Sequence, residues 1–357
     1  MNRERRGIYL EALPASALID YARQADQAGF DSVWFSEIMF ADAFTPAAAA
    51  AGCTQHIKLG TGVIGPWGRS PLVTALSAAS LAEISKGRLL LGIGSQAAPY
   101  VNNWHGREYT RPLTAVREYV SILKRVLSGQ AVSFEGDLFR LRDFQYPLPV
   151  EHRIPIYIGA IGPKMIELAG EVADGVLGVF WTQAYLEQTV LPCLARGAAR
   201  SGRSLEDFDI TMVVPTLLTR QPHPQVLHRG QVMMFASAAK SSAFYRQSLI
   251  QGGFEDEYQR MMQAIEAREF NAALEAVTDA MVDALALSGT PERIREQMQA
   301  LYDAGVTCIQ FHPSSPNSYF PLYQGHLEGA DFPEISASDH SQSIESIIQH
   351  LGPEAAE

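Results

Sequence analysis

The chain has 357 residues, 47% hydrophobic and 19% charged, with a net charge of −11 at pH 7; this is the composition of a globular protein with a large core, not a disordered chain. Its acidic balance argues against nucleic acid or an anionic membrane as partner. Cys53, Cys193 and Cys308 are odd in number and lack metal-ligand spacing, so they read as buried thiols; MNRERRGIYLEALP lacks a signal peptide's apolar core, and no run of about 18 apolar residues follows, so the expectation is a cytoplasmic protein with no membrane span.

In chain order, helix, glycine and strand recur. ALIDYARQADQAGFDSVWFSE carries helical apolar spacing, a C-cap glycine at Gly29 and then an apolar strand. Residues 57–96 follow as strand, loop, helix, strand, loop: IKLGTGVI stops at glycines, Ser70-Pro71 supplies an N-cap with proline in the first turn, and Leu72, Leu76 and Ala79 recur at helical spacing. Gly87 ends that helix before RLLLGIG. The aromatic and proline-rich stretch 131–155 interrupts the alternation, which resumes with PKMIELAGEVADGVLGVF. A second, helix-rich interruption spans 220–288, and IREQMQALYDAGVTCIQFHP restores the pattern through Gly305. Candidate strands are 7–10, 32–36, 57–64, 88–93, 156–159, 175–179, 210–214 and 306–311.

Eight strands alternating with helices predict a single (β/α)8 TIM barrel over residues 1–357, in the α/β class, closed by right-handed crossovers. Segments 131–155 and 220–288 are expected as insertions near the active-site face, the second helping to roof the pocket. Residues 313–357, rich in proline, serine, glycine and acids, are expected as a C-terminal extension whose end is loosely ordered or a partner contact.

The candidate chemistry lies at the carboxyl ends of the strands, where parallel α/β folds bind ligands. Gly62, Val63 and Ile64, then Gly92, Gly94 and Ser95, then Gly159 and Ala160 would line a narrow sector open to a flat ring. Gly92-Ile93-Gly94 lacks the third glycine and immediate helix of a dinucleotide fingerprint. Gly162 and Pro163 open a helix whose free N–H groups suit a phosphate, although a plain strand-to-helix turn would read the same. Glu37 ends an apolar strand as either a pocket group or a rim charge. His105, in a loop, is the candidate proton carrier against a packing role, Trp67 and Trp104 flank the mouth, and Arg69 serves an anion or caps a loop. No G-x-S-x-G elbow, H-E-x-x-H helix or Walker loop occurs, and no metal site is expected. Few reactive side chains around a glycine-lined seat imply that a cofactor carries the chemistry.

AGFDSVWFSE, IKLGTGVIGPWGRSP, ASLAEISKGRLLLGIGSQ, IPIYIGAIGPKMIELAGEVADGVL and GTPERIREQMQALYDAGV, in that order, resemble the luciferase-like flavin and deazaflavin oxidoreductases, and more closely their coenzyme F420-dependent branch. The resemblance reaches to about residue 311. It implies a barrel whose third strand ends in a bulge with a non-prolyl cis peptide, which by position is Gly62-Val63. It also implies coenzyme F420 as cofactor, with FMN as the alternative, and a homodimer. Two departures matter. Many deazaflavin dehydrogenases of this branch carry histidine after the acidic residue of the second strand, and this chain has Ile38 after Glu37; they often carry a glutamate proton donor after the fourth strand, and Ala97 aligns there. Alcohol oxidation needs a base, so losing both groups turns the reading toward reduction.

The expected protein is therefore an F420-dependent oxidoreductase, a reductase passing hydride to a medium-sized organic substrate. Glu37 and His105 stand as catalytic candidates, with Glu37, Gly62, Val63, Ile64, Gly92, Gly94, Ser95, Gly159, Ala160, Gly162 and Pro163 holding the cofactor. An FMNH2-dependent monooxygenase using oxygen is the alternative, and a non-catalytic flavin-binding paralogue the second.

Overall fold

The computed structural model describes residues 4–11, 13–37, 41–220, 225–237, 243–313 and 337–353. Its strands are β1 (Arg5–Leu10), β2 (Ser32–Ser36), β3 (Lys58–Gly62), β4 (Leu89–Gly94), β5 (Val132–Glu135), β6 (Arg140–Phe144), β7 (Ile156–Gly159), β8 (Gly175–Val179), β9 (Asp209–Leu218), β10 (Leu287–Gly289) and β11 (Cys308–Pro313). In the order β1-β2-β3-β4-β7-β8-β9-β11 they pair in parallel, and β11 returns to β1, so the sheet closes as an eight-stranded barrel. Each candidate strand is present, with ends shifted by a few residues.

Local chemistry sets the elements as the sequence implies. Helices α1 (Ala15–Gln27), α2 (Phe44–Cys53), α3 (Pro71–Ile84), α4 (Ala98–Asn103), α5 (Pro112–Leu127) and α6 (Pro163–Val172) follow in turn. At α3 the Ser70 hydroxyl accepts from Val73 N–H, Pro71 takes the first turn, and Gly87 at φ +83° ends the helix in the left-handed region. Residues alternate across the barrel wall: Ile8, Leu10, Val33 and Phe35 join the core beneath the helices, while Tyr9, Trp34, Leu90, Tyr157, Leu177 and Val213 fill the interior.

Segment 131–155 contains an antiparallel hairpin, β5-β6. Glu118 of α5 holds its turn by accepting from the N–H groups of Asp137, Leu138 and Phe139, and Asp137 pairs with Arg111 at the start of α5. Within 220–288, helices Gln225–Ser237, Ala243–Gln251 and Glu255–Ala267 build a second buried cluster around Phe180, Met233, Leu249 and Met261. Strand β10 pairs with the far end of β9, beyond the reach of β8.

Two expectations change. Cys53 is exposed at the end of α2, whereas Cys193 and Cys308 are buried, because the last helical turn points Cys53 away from the barrel. The tail is only partly an extension: helix Ala337–Leu351 sinks Ile344, Ile347, Ile348 and Leu351 into the main core, its apolar side recurring every three to four residues. The rest of that tail, 314–336 and 354–357, lies outside the described residues, as does Ile38. Among the described residues no helix is long and apolar enough to cross a membrane.

Candidate active site

Strands β2, β3, β4 and β7 are adjacent, and their carboxyl ends meet in register: Ser36 beside Gly62, Gly94 beside Gly159, and Gly159 beside Leu177. Between Gly62 and the bridge at Ile64–Ile93 the chain bulges through a cis Gly62-Val63 peptide, as the resemblance implies. Hydrogen bonds hold the bulge from both sides. Ile64 N–H donates to Gly92 O and Gly94 N–H to Ile64 O, both at 2.9 Å, and the Tyr9 hydroxyl donates to Gly62 O. Val63 then lies across the ends of β4 and β7. A Cβ on Gly94 would come within 2.4 Å of Val63 Cγ2, and one on Gly159 within 3.0 Å of Val63 Cγ1, so glycine at both places gives that side chain its room, most tightly at Gly94.

Next to this seat, α6 begins at Gly162, which provides no side-chain cap. Met165 and Ile166 donate back to Gly162 O, while the N–H groups of Gly162 and Lys164 take no backbone partner among the described residues. They remain available to an anion, aided by the helix dipole. The Phe244 ring covers Gly162: a Cβ there would meet the ring at 2.6 Å.

Glu37 is nearly buried and already engaged. Arg69 Nε lies 2.8 Å from its Oε1, and Ala43 N–H donates to its Oε2 at 3.2 Å. Burial raises its pKa, and the Arg69 guanidinium opposes that shift without cancelling it. Arg69 also binds Asp42 at 2.7 Å and covers the Phe44 ring, so it ties the rim together. Gln96, at φ +53°, closes the same rim by donating to Glu37 O at 3.3 Å. Ser95 is half-buried beside Tyr109, and Ala160 is buried with its N–H on Leu177 O. His105 stands apart, exposed in the loop after α4 with Gly68 as its neighbour. Trp67 stacks on Tyr109 and Trp104 on Tyr100, the latter indole half exposed.

The interior of the mouth holds polar groups that the motif reading passed over. Glu11 follows β1 and His312 lies near the end of β11; their Oε1 and Nε2 are 3.0 Å apart and both residues are buried. His312 sits edge-on to Tyr9, with ring centroids 5.5 Å apart. His228, from helix Gln225–Ser237, is buried near His312, and burial together with that neighbour pushes its pKa down to about 3. The alternation of Arg5, Gly7, Tyr9 and Glu11 was the available signal for the first strand. Nothing short of the fold joins residue 11 to 228 and 312.

A parallel barrel that collects a glycine-lined seat and buried polar groups at the carboxyl ends of its strands belongs to the α/β-barrel enzymes. More particularly, the chain belongs to the luciferase-like monooxygenase family, whose sequence model matches residues 1–308. It is 31% identical over 308 residues to a 5,10-methylenetetrahydromethanopterin reductase of Methanolobus tindarius, covering 85% of this chain and 92% of that protein. Among solved structures it matches a coenzyme F420-dependent tetrahydromethanopterin reductase from Methanopyrus kandleri with a TM-score of 0.74, at 23% identity and 97% coverage of both chains. An F420-dependent secondary alcohol dehydrogenase in complex with an F420-acetone adduct matches with a TM-score of 0.71, at 20% identity over 90% of this chain and 98% of that one. At these identities the two structures speak for the fold.

Proposed function

We propose that this protein is a coenzyme F420-dependent reductase that passes hydride to a medium-sized, conjugated or largely apolar organic molecule. The observation that carries the reading is the 31% identity to a methylenetetrahydromethanopterin reductase, sustained over 85% of the chain. The residues fit such a cofactor. Glycines at the ends of β3, β4 and β7 let Tyr9 and Val63 pack closely against the backbone, which leaves the bulge on which a flat ring would lean, and the start of α6 has N–H groups to spare. Gly62, Val63 and Ile64 would support the ring, with Gly92, Gly94, Ser95, Gly159 and Ala160 as its wall. Gly162 and Pro163 would hold the phosphate. Glu37 acts with Arg69 to fix the rim where the ring's polar edge would end. When bound, the reduced deazaflavin supplies a hydride, and this chain's part is to orient it, exclude water and deliver a proton.

Separate fluorescence titrations with coenzyme F420 and with FMN test the reading. A preference for F420 above about tenfold, roughly 1.4 kcal/mol, supports it, and the reverse preference sinks it. The monooxygenase reading shares the barrel and differs in needing oxygen at every turnover, so anaerobic turnover with reduced F420 separates the two. His105→Ala tests the loop histidine as proton carrier: a fall in that turnover of about a hundredfold assigns it the proton, and an unchanged rate assigns the proton to another group. A cytoplasmic homodimer completes the proposal, checked by sedimentation.

A further inference from the structure

In the strand order β1 and β11 lie across the barrel from β4 and β7, so Glu11 and His312 face the glycine seat from the opposite wall. His312 is one ring removed from the bulge, since it contacts Tyr9 and Tyr9 donates to Gly62 O. Helix Gln225–Ser237 buries His228, close enough to His312 for the two rings to oppose each other's charge, and, one turn further on, buries Gln231. His228 is 1% exposed and Gln231 is 4% exposed. Neither ring nitrogen of His228, and neither polar atom of the Gln231 amide, has a hydrogen-bond partner among the described residues. Buried donors without acceptors cost free energy unless an incoming group completes them. A neutral imidazole and a carboxamide offer N–H groups, which are completed by an oxygen with lone pairs.

We propose that His228, Gln231 and the His312–Glu11 couple form a subsite for the carbonyl oxygen of a conjugated ketone or aldehyde. The subsite rests on the reductase reading for its hydride. Addition of that hydride to the β-carbon makes a C–H bond and breaks the carbon–carbon π bond, whose electron pair moves toward the carbonyl and leaves an enolate oxygen. The N–H groups of His228 and Gln231 hold the developing charge. The His312–Glu11 couple gives a proton to the α-carbon, and solvent water restores it. The organic substrate is reduced by two electrons, and the dihydrodeazaflavin that loses the hydride is oxidised. His228 being held neutral accords with a donor that does not compete for the proton.

The test uses 4-nitrophenolate, a coloured enolate mimic, titrated into the full-length protein with and without oxidised F420. The expected result is a shifted absorbance on binding, with affinity reduced at least tenfold by His312→Gln, His228→Gln and Gln231→Leu, while F420 affinity stays within threefold. Gln231→Leu guards against misfolding: removing a buried, unpartnered amide leaves the melting temperature equal or higher, yet the probe is lost. Absence of probe binding to the natural chain, equal affinity in the three variants, or competition between probe and F420 overturns the subsite. If F420 fails to bind while the variants still lose the probe, the reductase reading falls and the oxygen-binding subsite stands.

Discussion

Gly94 and Glu37 decide the shape of the mouth residue by residue. Gly94→Ala would drive a methyl group into Val63 Cγ2, and Val63, branched at Cβ, has little freedom to turn away. We expect a loss of about 1–3 kcal/mol in urea unfolding and at least a tenfold fall in F420 affinity; an alanine variant with natural affinity would mean that Val63 is not part of the seat. Glu37→Gln removes the charge from a largely buried pair with Arg69 while leaving Asp42 as that arginine's partner. A cost of about 1–3 kcal/mol should appear in the same unfolding measurement, with a smaller change if Asp42 takes over. The glycines and Glu37 were legible in sequence because each ends an apolar run. His312 was not, since in QFHP it reads as the last residue of an ordinary strand.

The βαβ units are secured by side chains that reach from one element to the next. Asp26, in the last turn of α1, accepts from Gln55 and Ile57 N–H at 2.7 Å and from His56 N–H at 2.9 Å, so it anchors the entry to β3. Burial works against its charge, but the three N–H donors prevail and its pKa is lowered. Its contribution is therefore present above the ordinary carboxylate range and is lost as pH falls below it. Because the site is only half-buried, Asp26→Asn should cost only about 1 kcal/mol at pH 7 and less as pH falls through the carboxylate range, a convergence readable from paired urea curves. Caps and glycines made the long elements legible. The hairpin β5-β6 was not, because glycine and proline around it resemble loop composition. Strand β10, Leu287–Gly289, is too short to display alternation.

For the molecule as a whole, His228 links stability to pH. An unfolded chain protonates this histidine below about pH 6.5, whereas the folded one resists until about 3. The unfolded state thus binds more protons between those values. Stability from this group is complete above pH 6.5 and is lost as pH falls, by about 2 kcal/mol at pH 5. His228→Gln should flatten the decline between pH 6.5 and 5 in urea midpoints; an unaltered slope would mean that the ring is protonated in the native state.

Sequence alone determined the barrel and half of its mouth. Apolar periodicity, N-caps and C-cap glycines are local, and the strand ends proposed as the cofactor's seat, at residues 62–64, 92–95 and 159–163, come from consecutive strands whose order in space follows their order in the chain. The tertiary structure decided the other half. Closure of β11 onto β1 and the descent of helix Gln225–Ser237 bring Glu11, His228 and His312 together from three distant parts of the chain. Local patterning reports which face of an element is buried; only closure of the sheet determines which buried polar groups meet.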